Sequence, residues 1–240
     1  MSYANWADAY ARHRAEDPRI AALIHAALGD ARTVVNVGAG RGAYEPRDRD
    51  VTSVEPEPAM ARSRAVQAYA EALPFEDGAF DAAMAVLTVH HWTDWRAGAA
   101  ELRRVARDRV VILTFDPGWS RALWLVDEYL PEVAEMEAGF PTPAQLLEAL
   151  GGGEIETVPI SHDCRDGFFG AYWRRPHAYL DPDAQQAISA LAKLDPAIRE
   201  RGLTALARDL ESGAWAERHA DLADRMELDL GYRLVIARHN

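Results

Sequence analysis

Three alternate glycines, Gly38, Gly40 and Gly42, follow a β-branched run in the stretch TVVNVGAGRGAY. A glycine loop after a strand lets a ligand approach the backbone closely. With Ala43 the same residues satisfy the G-x-G-x-x-[GA] pattern of dinucleotide sites. A pyrophosphate also needs a helix N-terminus beyond the glycines, with N–H groups aimed at the anion. Here the next segment is AYEPRDRD, interrupted by Pro46, and a strand begins near Val51, which leaves room for barely one helical turn. Glu55 ends that strand, where a carboxylate can accept both hydroxyls of a ribose. These residues favour a nucleoside without phosphates over a dinucleotide. His90 and His91 in TVHHW fall at the end of the apolar run FDAAMAVLTV, where open α/β sheets place ligands. An imidazole there can accept a proton near neutral pH. His91, one residue further out, is the candidate base. No metal site is expected, because adjacent strand residues point to opposite faces and no cysteine or carboxylate pair completes a set.

Those residues need elements to hold them. In DPRIAALIHAALG, Asp17 can cap free N–H groups and Pro18 fits the first helical turn. Ile20, Leu23, Ile24, Ala27 and Leu28 recur at helical spacing, and Gly29 ends the run. TVVNV and VTSVE read as strands, followed by a short helix from about Pro58 and a weak strand near Val66. LPFEDGAF is turn-rich, and FDAAMAVLTV reads as a central strand covered on both faces. In TDWRAGAAELRRVARD, Trp95, Ala99, Leu102 and Val105 form one apolar stripe, while Arg103, Arg104 and Arg107 suit the negative pole of the helix. RVVILTF and EIETVPI read as strands on either side of the helix TPAQLLEAL. From Ser161 to Asp229 strand signal is sparse, and Asp181-Pro182 and Asp195-Pro196 each mark a helix start. YRLVIAR is the last strand. The alternation predicts an α/β fold with helices on both faces of a parallel sheet. Residues 161–229 form a helical insert within a single domain spanning 1–240.

Two further segments carry polar and aromatic residues in quantity. HDCRDGFFGAYWRRPHAYLDP offers Asp163, Asp166 and Trp173 as substrate-binding candidates. WADAYARHR sets Trp6, Tyr10, His13 and Arg14 on neighbouring turns of one helix, with His13 as a further substrate-side candidate. The 240 residues carry a formal net charge of −12, with 49% hydrophobic and 27% charged residues. This balance argues against binding along a phosphate backbone and for a small-molecule partner. Cys164 is the single cysteine, which excludes an internal disulfide and a cysteine-based metal centre. No basic-then-apolar leader and no membrane-length apolar run is present, so the expected setting is soluble and cytoplasmic, with no membrane partner.

Taken in order, VVNVGAGRG, SVEPEPAM, AEALPFEDGAFDAAMAVLTVHHW and AAELRRVARDRVVILTF resemble the motifs of class I S-adenosylmethionine-dependent methyltransferases, specifically the small-molecule type 11 group. The resemblance covers roughly Thr33 to Phe115, with a looser fit through YRLVIAR. It implies a Rossmann-like, seven-stranded, mostly parallel sheet with an antiparallel last strand. It also implies methyl transfer from S-adenosylmethionine to a small-molecule acceptor, leaving S-adenosylhomocysteine. By position, Gly38 and Gly40 would pass under the methionine part of the cofactor, Glu55 would hold the ribose and Met60 would pack near the adenine. Ala70 and Glu71 would flank the adenine edge, and Leu87 would cover the cofactor. Asn36 and Tyr69 stand where the family usually has Asp. If Asn36 faces the methionine ammonium, Asn36→Asp is expected to tighten the cofactor. Two other readings of the residues are a nicotinamide- or flavin-dependent oxidoreductase and a non-catalytic cofactor-binding protein.

Overall fold

The computed structural model describes residues 14–61 and 64–239. Among them the strands are β1 (Thr33–Val37), β2 (Asp50–Val54), β3 (Phe80–Val86), β4 (Ala106–Phe115), β5 (Glu154–Thr157), β6 (Ile160–Ser161), β7 (Glu227–Leu228) and β8 (Tyr232–Arg238). The chain divides into two compact units. One, the sheet unit, comprises residues 18–116, 140–158 and those from 232 onward. The other, a mostly helical unit, holds residues 117–139 and 159–231 together with the described residues 14–17.

The sheet unit has the strand order β2-β1-β3-β4-β8-β5. β2, β1, β3 and β4 run parallel, and β8 lies antiparallel between β4 and β5. β1, β3 and β4 are buried over residues 34–37, 82–85 and 110–114, as strand middles packed on both faces must be. Val35, Val37, Ala83, Ala85, Val110, Ile112 and Val235 line one face. They pack on Ala99, Leu102 and Val105 of helix α2 (Trp95–Val105), and on Leu146 of helix α3 (Pro143–Ala149). Asp94 starts α2 by accepting from the Arg96 and Ala97 N–H groups at 3.0 and 3.1 Å. Helix α1 (Pro18–Ala27) buries Ile20, Ala21 and Ile24.

Among the described residues the sheet has six strands, one fewer than the seven expected. The segment at Val66 supplies one bridge to Val54, closed by Val66 N–H to Ser53 O at 2.8 Å and Glu55 N–H to Val66 O at 3.0 Å. A single β-branched residue between Ala65 and Gln67 is too little for a ladder. The helix expected from Pro58 is a turn, closed by Met60 and Ala61 N–H groups on Glu57 O. The arginines of α2 also act differently from a simple response to the helix pole. Arg104 donates to the Leu73, Phe75 and Asp77 oxygens and to Glu101, while Glu101 accepts the Leu73 N–H at 2.7 Å. Arg107, expected on the helix, lies beyond it in β4 and pairs with Asp81, which also accepts the Arg32 and Thr33 N–H groups. The Arg107 guanidinium, with those two N–H groups, holds the Asp81 carboxyl well below the usual range.

In the helical unit Asp181 and Asp195 cap helices Pro182–Ala187 and Pro196–Ser212, as their Asp-Pro pairs predict. β6 and β7 form a two-stranded ribbon inside the stretch read as helical. The aromatic segment after Pro117 breaks into a 3-10 turn, a π-helical turn over Leu125–Tyr129 and helix Glu132–Glu137.

Candidate active site

The C-terminal ends of β1 and β2 carry the densest polar geometry of the sheet unit. Gly38 has a positive φ of 73° and touches Thr88 so closely that a Cβ would overlap its side chain. Thr88 was not among the sequence candidates, and it joins the end of β1 to the segment after β3. The Gly38 and Ala39 N–H groups both donate to Val54 O at 2.9 Å. Gly40 also has a positive φ, of 50°, yet a Cβ there would meet nothing within 4 Å. One glycine is therefore required by packing, and the other leaves open space. The Gly40 N–H donates to Glu55 Oε2 at 2.8 Å, and the Glu57 N–H donates to Glu55 Oε1 at 3.2 Å. The Glu55 carboxylate is thus fixed, nearly buried, at the end of β2. Met60 follows in the next turn and is buried.

No helix follows the glycines. Residues 40–44 are turns, ending on a fully buried Tyr44 with a positive φ of 66°. His25 Nε2 lies 3.0 Å from Tyr44 O, and Arg49 donates to His25 O at 3.1 Å, so α1 anchors the segment that a phosphate-binding helix would occupy. Asn36 is 1% exposed. Its Nδ2 donates to Glu45 Oε1 at 3.1 Å, and the Ser53 hydroxyl donates to the same oxygen at 2.6 Å. Asn36 Oδ1 is buried and has no hydrogen-bond partner among the described residues. An unmet buried acceptor costs about 1–3 kcal/mol until a donor reaches it. Sequence reasoning missed Glu45, which lies in a motif-free stretch; the one signal was that an acid absent at Asn36 could be supplied nearby.

β3 ends at Val86, and Leu87 then takes a positive φ of 50° with its N–H on Leu113 O. His90 and His91 therefore sit on a 3-10 turn, Val89–His91, and not on the strand. His90 packs beside Phe115 and Phe140, with ring centroids 5.2 and 5.5 Å away, whereas His91 is exposed. Ala70 is buried in the core against α2. Glu71 accepts the Thr93 and Asp94 N–H groups at 2.8 and 3.1 Å, tying its turn to the start of α2. Tyr69 is 68% exposed.

Residues 35–114 match a family model described as a methyltransferase domain. A crystal structure of a putative methyltransferase from an antibiotic biosynthesis pathway of Anabaena variabilis superposes with a TM-score of 0.87. It is 28% identical, and the match covers 94% of this chain and 99% of that one. By these likenesses the stretch resembles a class I S-adenosylmethionine-dependent methyltransferase domain. An uncharacterized protein, YafE, of Escherichia coli strain K12 is 38% identical over 63 residues, a stretch spanning 25% of this chain and 30% of that relative. Geranyl diphosphate C-methyltransferase from Streptomyces coelicolor, 16% identical with a TM-score of 0.50, covers 93% of this chain and 76% of its own and shares the fold alone.

Around the methyltransferase domain's glycine loop, the structure brings together Asn36, Gly38, Gly40 and Glu55, and it sets Leu87 beside Thr88, which touches Gly38. The substrate-side candidates lie in the helical unit. Trp173 is fully enclosed, its Nε1 donating to Ile160 O at 3.0 Å and its own carbonyl accepting from Trp124 at 2.8 Å. Asp166 is 1% exposed and paired with Arg14 at 2.5 Å. Asp163 is exposed and accepts from Ser161 at 2.7 Å. His13, Tyr10 and Trp6 lie outside the described residues. Burial pushes the Cys164 thiol up to about 12, which leaves it protonated and unreactive. Burial likewise pushes Glu137 up to about 7; its Oε2 accepts from the Ser120 hydroxyl at 2.5 Å.

Proposed function

We propose that this chain transfers the sulfonium methyl of S-adenosylmethionine to a small-molecule acceptor. The observation that carries the reading is the Glu55 carboxylate, held by two backbone N–H groups at the end of β2 beside a glycine with open space where a side chain would stand. The residues fit the group: a fixed acceptor for two ribose hydroxyls, an unpaired buried acceptor at Asn36, and a glycine backbone that a ligand can approach. When bound, S-adenosylmethionine supplies a methyl already activated by its charged sulfur. The protein's part is then to hold an acceptor in line and exclude water.

In this reading Glu55 orients the ribose, Gly38 and Gly40 lie under the methionine part, and Met60, Ala70 and Glu71 border the adenine. Leu87 covers the cofactor. His91, exposed after β3, takes a proton where the acceptor must lose one. The acceptor side is assigned to the segments bearing His13 and Asp163, with Asp166 and Trp173 shaping that region from within. A small acceptor is supported by the net charge of −12 and by likeness to the Anabaena methyltransferase, whose pathway makes an antibiotic. The turns at residues 40–44 oppose a nicotinamide or flavin dinucleotide, because no helix N-terminus follows to receive a pyrophosphate.

Thermal unfolding with added ligands tests the proposal. S-adenosylhomocysteine at ~100 times its dissociation constant should stabilise the chain by about 2.7 kcal/mol, and NAD or FAD should not. Glu55→Ala should abolish that shift, with the chain still folding but melting somewhat lower without ligand, because the Gly40 and Glu57 N–H groups lose their acceptor. Stabilisation by NAD with none by S-adenosylhomocysteine would replace methyl transfer with a redox function.

A further inference from the structure

Asn36 lies among the valines of β1, and its two side-chain ends are treated differently. A carboxylate can only accept hydrogen bonds, so Glu45 draws the Asn36 nitrogen and turns Oδ1 away from itself. Ser53 donates to the same Glu45 oxygen, which holds the carboxylate in place against β2. Oδ1 is left buried and unmet. A donor arriving there would be linked through one amide to a buried negative charge, and in a poorly polarisable interior such a chain of bonds strengthens along its length. The pull is strongest for a donor that is itself a cation.

The argument rests on the methyl-transfer reading above. Within that reading the cofactor offers three kinds of donor: the adenine amino group, the ribose hydroxyls and the α-ammonium of its methionine part. Glu55 stands at the ribose, and the adenine is bordered by the turn at Ala70. Asn36 lies two and four residues before Gly38 and Gly40, on the methionine side. We propose that Asn36 Oδ1 receives the α-ammonium and that Glu45 supplies the countercharge through Asn36. Glu45 is thus a positioning residue for the cofactor, carrying in the loop the acid that the strand position lacks.

Calorimetric titration of the full chain tests this. The probes are S-adenosylhomocysteine and its analogue with hydrogen in place of the α-amino group. Wild type should prefer S-adenosylhomocysteine by about 10-fold or more. Glu45→Gln should weaken S-adenosylhomocysteine by about 10-fold and the analogue by no more than about 2-fold, so that the preference collapses. Should Glu45→Gln fold poorly, the exchange of Asn36→Asp with Glu45→Gln restores one carboxylate and one amide with their roles reversed. That exchange should restore the preference. An unchanged preference in Glu45→Gln overturns the proposal, as does a folded exchange variant without preference. If neither probe binds wild type, the methyl-transfer reading itself falls and takes this proposal with it.

Discussion

Gly38 and Gly40 stand two residues apart with the same sign of φ, yet they carry different constraints. At Gly38 an added methyl meets Thr88, so Gly38→Ala adds crowding to an unfavourable backbone and should cost roughly 2–4 kcal/mol. Adding Thr88→Ala should recover the crowding part only. Gly40→Ala meets no atom and should cost about 1 kcal/mol of stability. Its loss should appear in S-adenosylhomocysteine affinity instead, because the methyl fills the space left for ligand. Urea denaturation and calorimetry on the three variants separate these outcomes. Asn36 is a case where the neighbour reverses an expectation. From the family pattern, Asn36→Asp should tighten the cofactor. In the structure a second carboxylate would face Glu45, lose the 3.1 Å hydrogen bond and set two acceptors of like charge against each other. The single variant should therefore bind more weakly. The glycines and Glu55 were legible because their backbone demands are written in residue type and spacing. Glu45 was not, because a loop acid returning to a strand leaves no periodic trace.

At the scale of elements, the turn at residues 73–78 depends on one side chain of α2. Arg104 reaches the Leu73 and Phe75 carbonyls at 3.0 and 2.7 Å, while Glu101 takes the Leu73 N–H. Arg104→Gln removes the charged donors and leaves those carbonyls poorly met, at a cost of about 1–3 kcal/mol. Because Ala70 and Glu71 lie in the turn just before this one, S-adenosylhomocysteine affinity should fall with stability in that variant. Leu102→Ala, a plain core truncation on the same helix, should cost about 2–5 kcal/mol of stability with little effect on affinity. Melting curves paired with titrations distinguish the two. The strands β1, β3, β4 and β8 could be read from apolar runs, since burial on both faces removes polar residues. The interruptions could not. The bridge at Val66 and the strand end at Val86 carry hydrogen bonds to other segments, such as Leu87 N–H to Leu113 O, and the 3-10 turn at His90 is closed locally by His91 N–H on Thr88 O. That is why the histidines, expected along a strand, lie beyond a left-handed residue with one ring enclosed and the other exposed.

For the molecule as a whole, stability should carry a pH dependence set by Glu137. Its folded value, about 7, lies above that of an unfolded glutamate, so the native chain holds a proton that the unfolded chain has already lost. Stability therefore falls as pH rises from the carboxylate range to about 7, by roughly 2–3 kcal/mol, and is regained on acidification. Glu137→Gln should flatten this difference in urea denaturation compared at about pH 5 and about pH 8; an equal slope in both proteins would assign the dependence to other groups. The sheet carries a different consequence, in the order of its making. Among the described residues β5 pairs with β8 alone, and β8 is translated only after residues 159–231. A ribosome that has released β5 has therefore released a strand with no place in the sheet. β4 meanwhile waits with one edge bare. Through the synthesis of some seventy further residues the nascent chain presents two open strand edges. Its exposure to misassembly and to proteases ends only when Tyr232–Arg238 slides between them.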